Sequence, residues 1–186
     1  GLIVNAEGGT PIEAWTRLEI VQNKKYNKHI FSEREQWRTD RKFYEEKYNM
    51  QLQDWENLAA KNKKEGKSIP PKPFPPFQIR ENWEPGSLYN SLVFPLKEYN
   101  IKGVIWYQGE SNANYPFVYR YQLIDMIESW REAFKNGKLP FYIIQLPEFK
   151  TGDDWAIMRE SQASVQKENN TRLIVTLGLG DSTNIH

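Results

Sequence analysis

The chain alternates short apolar runs with helical patterns, and few folds accommodate that order. The runs LIV, VIW, YIIQL and LIVTL lie within residues 2–6, 103–107, 141–146 and 173–177, and helical patterns follow at 116–135 and 153–169. Strands joined through helices form parallel sheets, and strands buried on both faces read as continuous apolar runs. The sequence therefore predicts an α/β fold whose parallel sheet is covered by helices on both faces.

Composition excludes several classes of function. The 186 residues fit one domain and suffice for a core of their own. Lys and Arg number 25 against 24 Asp and Glu, so the net charge of +1 gives no field that would attract nucleic acid. The absence of Cys excludes disulfides and thiolate metal sites, and no other metal-ligand spacing is present. No apolar run approaches the ~18 residues of a membrane span.

A charged and proline-rich region separates the first apolar run from the second. Aromatic and leucine side chains recur at helical spacing over 32–63, which predicts an amphipathic helix or helix pair, with a partner-binding coiled coil as the alternative. Residues 64–86 carry six of the eleven prolines. Prolines exclude a continuing helix, so we expect an ordered surface loop here, with an SH3-type ligand as the alternative.

Polar residues follow each predicted strand, and the carboxyl ends of parallel strands share one edge where ligands bind. Gly8 and Gly9 there either present backbone N–H groups to an oxyanion or form a plain turn. Gln108 and Asn112 are candidate amide donors, and His186 is a candidate general base or a surface residue. Ser111 is not predicted to be a nucleophile, because the Gly-x-Ser-x-Gly elbow needs a glycine where Ala113 stands.

Five blocks of the sequence carry a family resemblance. The blocks IVNAEGGTPIEAW, GSLYNSLVFPLKEYNIKGVIWYQGESNA, LPFYIIQLPEF, WAIMRESQ and VTLGLGDSTNIH resemble, in order, those of the sialate O-acetylesterase family of SGNH/GDSL hydrolases. The resemblance implies a flavodoxin-like three-layer α/β/α sandwich, here lacking its first strand, and a serine esterase without cofactor or metal. Residues 1–186 would be the C-terminal portion of that domain, with an insertion at about 20–86.

The resemblance also implies roles for single residues. A glycine N–H of the Gly8-Gly9 turn and the amide of Gln108 would hold the oxyanion, and His186 would be the base. The pocket would be lined by Glu110, Ser111 and Asn112.

Two parts of the family's catalytic pattern are missing. The orienting acid usually precedes the His by three residues, but Thr183 stands there; Asp181 is one candidate, and a Ser–His dyad is the other. No Gly-Gln-Ser-Asn block is present, so the nucleophilic serine is expected upstream of Gly1, on a second chain or on a segment of the same one.

The implied function is removal of O-acetyl groups from carbohydrate, with sialate 9-O-acetylesterase activity as the first candidate. The alternatives are an acetylxylan-type esterase and a non-catalytic carbohydrate-binding relic of the fold. The expected partner is an acetylated sugar, and a secreted or periplasmic location is implied by the family alone. Four aromatic side chains suit stacking on sugar rings, with core packing expected for at least half of them: Trp15, Tyr107, Tyr115 and Trp155.

Overall fold

The computed structural model of the chain describes residues 1–149 and 152–179. The chain divides into two compact units, one of Gly1–Tyr26 with Glu84–His186 and the other of Asn27–Trp83. Among the described residues the α-helices are α1 (Leu18–Asn23), α2 (Lys28–Lys64), α3 (Pro116–Ala133) and α4 (Gly152–Ser164). A π-helix at Tyr89–Val93 and a 3-10 helix at Phe94–Leu96 precede the first strand.

The predicted parallel sheet is confirmed. Its strands in the described part of the chain are β1 (Val104–Tyr107), β2 (Phe141–Ile144) and β3 (Thr171–Ile174), in the order β1-β2-β3. Both pairings are parallel, with Val104 opposite Phe141 and Phe141 opposite Thr171. The third strand was predicted at 173–177 but begins and ends earlier, because its partner β2 ends at Ile144 and pairs there with Ile174. The fold is thus mixed α/β.

The core of the first unit lies on one face of this sheet. Trp106 of β1 and Phe141 of β2 are buried against Trp130 of α3, with ring centroids 5.7 and 6.0 Å from it in edge-to-face geometry. Met158 of α4 belongs to the same core cluster. Edge-to-face rings add to the burial of large apolar surface, so this cluster fixes α3 against the sheet.

The other face of the sheet exposes apolar side chains. Ile105 is 70% exposed, and Tyr107, Tyr142 and Ile174 are exposed beside it on the same face. Among the described residues, helices cover one face of the sheet, so the prediction of helices on both faces is confirmed for that face alone. A continuous apolar run in the sequence marks strands that have two apolar faces, and the second face is where the further helical layer of an α/β/α sandwich is expected.

The prediction of a strand at residues 2–6 is wrong. Residues 1–7 have no regular structure, and Leu2 and Val4 are exposed. A β-strand is held by hydrogen bonds to a neighbour, and no strand of the described chain lies beside this segment. The segment is tied to the rest of its unit through Asn5, whose Nδ2 donates to the carbonyl of Leu92 at 2.7 Å.

The second unit consists of the long helix α2 and a proline-rich return segment. The predicted helix is confirmed as one element of 37 residues that begins at Lys28. The return segment is ordered on it, since the indole of Trp55 donates to the carbonyl of Pro70 at 2.9 Å and the Tyr48 hydroxyl donates to that of Pro73 at 3.2 Å. The unit lies inside the region predicted as an insertion, and the insertion itself stays a prediction.

Candidate active site

Gln108 follows β1 directly and is buried, with 9% of its surface exposed. Its Nε2 donates to the carbonyl of Thr10 at 3.0 Å and to Asn112 Oδ1 at 2.8 Å. Its Oε1 accepts from the hydroxyl of Tyr119 on α3, at 2.8 Å. The side chain therefore links the end of β1 to the N-terminal turn and to a helix.

Asn112 makes the second link to the N-terminal segment. Its Oδ1 accepts from the backbone N–H of Ile12 at 2.9 Å, and its Nδ2 donates to Glu13 Oε2 at 3.0 Å. Asn112 and Glu13 are both buried, where polar groups are expected to be hydrogen-bonded. These bonds bring residues 12 and 13 to the block after β1, and the expectation that the Gly8-Gly9 turn and Gln108 form one site stays a prediction.

The Gly8-Gly9 turn lies at the surface beside these links. Gly9 has a φ of +66°, a conformation that favours glycine, and both glycines are exposed. Their N–H groups donate to no acceptor in residues 1–149 and 152–179. Thr10 closes the turn, because its hydroxyl donates to the carbonyl of Glu7 at 2.8 Å. The turn can therefore offer backbone donors to a bound group.

Glu110 and Ser111 lie on a 3-10 helix, Glu110–Asn112, that starts after Gly109. Glu110 is exposed and Ser111 half-buried. The hydrogen bonds that surround Gln108 come from other residues, so the expected place of these two in the pocket stays a prediction. Ser111 stands inside the short helix and not at a sharp strand-to-helix turn, which agrees with its rejection as a nucleophile.

Gln162 of α4 joins the ends of β1 and β2. Its Nε2 donates to the carbonyl of Gln108 at 2.9 Å, and its Oε1 accepts from the N–H of Leu146 at 2.9 Å. Gln162, Tyr119 and Glu13 were not predicted as site residues. A signal was present for two of them, since Gln162 ends the WAIMRESQ block and Glu13 lies in IVNAEGGTPIEAW.

Burial governs the ionisation of the phenols near this site. Burial raises the pKa of Tyr119 well above its usual range, and the charge of Glu110 acts in the same direction. Burial and Glu110 likewise raise the pKa of Tyr107. Tyr119 is therefore protonated at neutral pH and serves Gln108 as a hydrogen-bond donor.

The remaining predicted site residues divide between the core, the surface and the part of the chain that is not described. Trp15 and Trp155 are buried in the core, whereas Tyr107 and Tyr115 are exposed, and their contact with a sugar ring stays a prediction. His186 and Asp181 lie outside the described residues. Across residues 1–149 and 152–179, no cluster of His, Cys, Asp or Glu would hold a metal ion, and no helix is long and apolar enough to cross a membrane.

Comparison with known proteins identifies the family of this chain. A sequence model described as "Carbohydrate esterase, sialic acid-specific acetylesterase" matches residues 77–186. Sialate O-acetylesterases of Homo sapiens and Mus musculus are 42% and 39% identical over 67 and 70 residues, about a third of this chain and 13% of each relative's length.

A crystal structure of a carbohydrate acetylesterase from Xanthomonas citri is also similar. It superposes with a TM-score of 0.63 at 28% identity, and the match covers 96% of this chain and 31% of that one. The family match takes in β1, β2, β3 and the block that contains Gln108 and Asn112. This chain belongs to the carbohydrate esterase family of sialic acid-specific acetylesterases.

Proposed function

We propose that the protein containing this chain is a serine acetylesterase that removes O-acetyl groups from carbohydrate. The observation that carries the proposal is the hydrogen bond between Gln108 and Thr10, in a chain of this family. It brings the Gly8-Gly9 turn, with its unengaged N–H groups, to the end of β1. Donors of this kind at the edge of a parallel sheet suit the tetrahedral oxyanion of acyl transfer.

The proposed reaction is a two-step acyl transfer. A serine hydroxyl attacks the acetyl carbonyl while His186 takes its proton, and the turn N–H groups of Gly8 and Gly9 stabilise the oxyanion. The intermediate collapses, His186 returns the proton to the departing sugar oxygen, and an acetyl-enzyme remains. Water then attacks the acetyl-enzyme with His186 again as base, which releases acetate and restores the serine. Asp181 or a backbone carbonyl would orient the imidazole.

The nucleophilic serine is proposed to lie on a segment outside residues 1–186. Two observations support this placement. The match covers 31% of the Xanthomonas citri structure, so most of that protein has no counterpart here, and β1 has no neighbour on its outer edge within the described residues. A parallel strand paired to that edge would deliver a residue at its carboxyl end to the rim that holds Gln108.

The proposed substrate is a 9-O-acetylated sialic acid. Support comes from the curated relatives, which are named sialate O-acetylesterases, whereas the bacterial structure is described as a carbohydrate acetylesterase with no sugar specified. An acetylated sialoglycan substrate would be met outside the cell or in the periplasm, and that is the location we propose.

The test is acetate release by the full-length protein from three esters: 9-O-acetyl sialic acid, acetylated xylan and 4-nitrophenyl acetate. We expect hydrolysis of the sialate with a kcat/KM at least ~10-fold above that for xylan, which corresponds to about 1.4 kcal/mol of transition-state preference. A reversed preference would make the protein an acetylxylan-type esterase. No acetate from any ester, together with measurable sugar binding, would make it a carbohydrate-binding relic.

A further inference from the structure

We infer that Gln108 is a positioning residue, which holds the Gly8-Gly9 turn through Thr10 and does not itself contact the oxyanion. The inference rests on the esterase function proposed above and changes the role that the family resemblance implies for Gln108. It assigns two further positioning residues, Tyr119 and Gln162, which hold Gln108 in place.

The first support is that the side-chain amide of Gln108 has no hydrogen left to give. An amide nitrogen carries two donors, and here one is taken by the Thr10 carbonyl and the other by Asn112 Oδ1. Both acceptors are in buried residues. To reach an oxyanion, Gln108 would have to abandon a buried acceptor, and an unsatisfied buried polar group is costly.

The second support is that Gln108 is held from behind. The fully buried hydroxyl of Tyr119 donates to Gln108 Oε1, which fixes the amide with its nitrogen toward Thr10. The fully buried amide of Gln162 donates to the backbone carbonyl of Gln108. Because burial raises the pKa of Tyr119, its hydroxyl stays a donor across the neutral range. Both contacts oppose the rotation that a direct donor role would require.

The third support is the path from Gln108 to the turn. Gln108 binds the carbonyl of Thr10, and the hydroxyl of the same Thr10 closes the turn onto Glu7. The two glycines between Glu7 and Thr10 bear the N–H groups that no described residue engages. Fixing Thr10 therefore fixes the direction of these donors, and a preorganised donor is what stabilises an oxyanion.

The experiment compares amide hydrogen exchange in three variants of the full-length protein. Gln108→Leu removes the amide at similar size, Tyr119→Phe removes one hydroxyl, and Tyr99→Phe removes an exposed hydroxyl outside the sheet as the matched control. The reporters are the amides of Ile12, bonded to Asn112 Oδ1, and Ala14, bonded to the carbonyl of Pro11. We expect exchange about two- to tenfold faster in Tyr119→Phe and at least ~10-fold faster in Gln108→Leu. The control should exchange like the unmodified protein.

Ester hydrolysis gives the second readout. Both variants should lose kcat, by about tenfold or more in Gln108→Leu, with little change in KM, because misdirected turn donors weaken transition-state binding alone. Unchanged exchange in both variants would overturn the inference. The inference would also be overturned if Gln108→Leu lost ~100-fold in kcat with unchanged exchange while Tyr119→Phe kept normal activity. That pattern would identify Gln108 as a direct donor to the oxyanion.

The two readouts also separate this inference from the proposed function. If the unmodified protein hydrolyses no ester, the proposed function fails, and hydrogen exchange still tests whether Gln108 holds the turn. If Gln108→Leu does not fold, Tyr119→Phe alone decides, because it deletes a single oxygen.

Discussion

Gly109 should not tolerate any side chain, and the structure gives the size of the effect. Its φ is +151°, and a Cβ added there would lie 3.0 Å from Leu146 Cδ1 and 3.1 Å from Gln162 Nε2. Gln162 cannot yield easily, because both ends of its amide are bonded inside the core. Backbone strain costs about 1–3 kcal/mol and overpacking about 1–3 kcal/mol, so Gly109→Ala should lose roughly 2–6 kcal/mol of unfolding free energy.

Urea titration of the full-length protein, followed by tryptophan fluorescence, measures this loss against two matched variants. Gly178→Ala adds a Cβ to open space at a φ of +73°, so it should show backbone strain alone, about 1–2 kcal/mol. Gly137→Ala adds a Cβ to open space at an ordinary φ and should stay within ~0.5 kcal/mol of the unmodified protein. If Gly109→Ala loses no more unfolding free energy than Gly137→Ala, the packing described around Gln162 is wrong.

Three further changes probe the base, the rejected nucleophile and the buried phenol. His186→Ala should lower kcat for an aryl acetate by at least ~100-fold, and more than about a tenth of the activity remaining would exclude His186 as the base. Ser111→Ala should keep most of the activity, and a dead variant would make Ser111 the nucleophile. Stability should fall as pH rises above ~10, because the unfolded chain releases the Tyr119 proton at a lower pH than the folded one, whose Tyr119 pKa is raised. Tyr119→Phe should make this fall less steep between urea titrations at pH 9 and 11, while the raised pKa values of Tyr26, Tyr89 and Tyr107 still contribute to it. An equal slope in both proteins would exclude Tyr119 as a source.

The parts of the fold that could be predicted from the sequence are those with a local pattern. The strands at 103–107 and 141–146 and helix α3 form where the apolar runs and the helical spacing predict them. The segment 2–6 has an equally apolar run and forms no strand, because a strand also needs a neighbour. The sequence pattern predicts which segments are able to pair, and a segment forms a strand where the fold places a neighbouring strand beside it.

The candidate site was predictable to the level of segments. Parallel topology places the block after β1 at the carboxyl edge of the sheet. The structure brings Asn112 of that block to Ile12, although residues 2–6 form no strand that could have predicted this contact. The hydrogen-bond partners of each side chain could not be predicted from the sequence. Gln108 is an amide beside a proposed oxyanion site, but its hydrogens are spent on Thr10 and Asn112, and the first of these partners lies almost a hundred residues away in the sequence.

Covalent labelling decides whether residues 1–186 build the rim of an esterase site whose nucleophile lies elsewhere. The full-length protein is treated with a fluorophosphonate, which modifies an activated serine, and the modified peptide is identified by mass spectrometry. We predict one modified serine outside residues 1–186, and no modification in His186→Ala, because the serine needs its base. Modification of Ser111, or of another serine of this chain, would contradict this placement of the nucleophile.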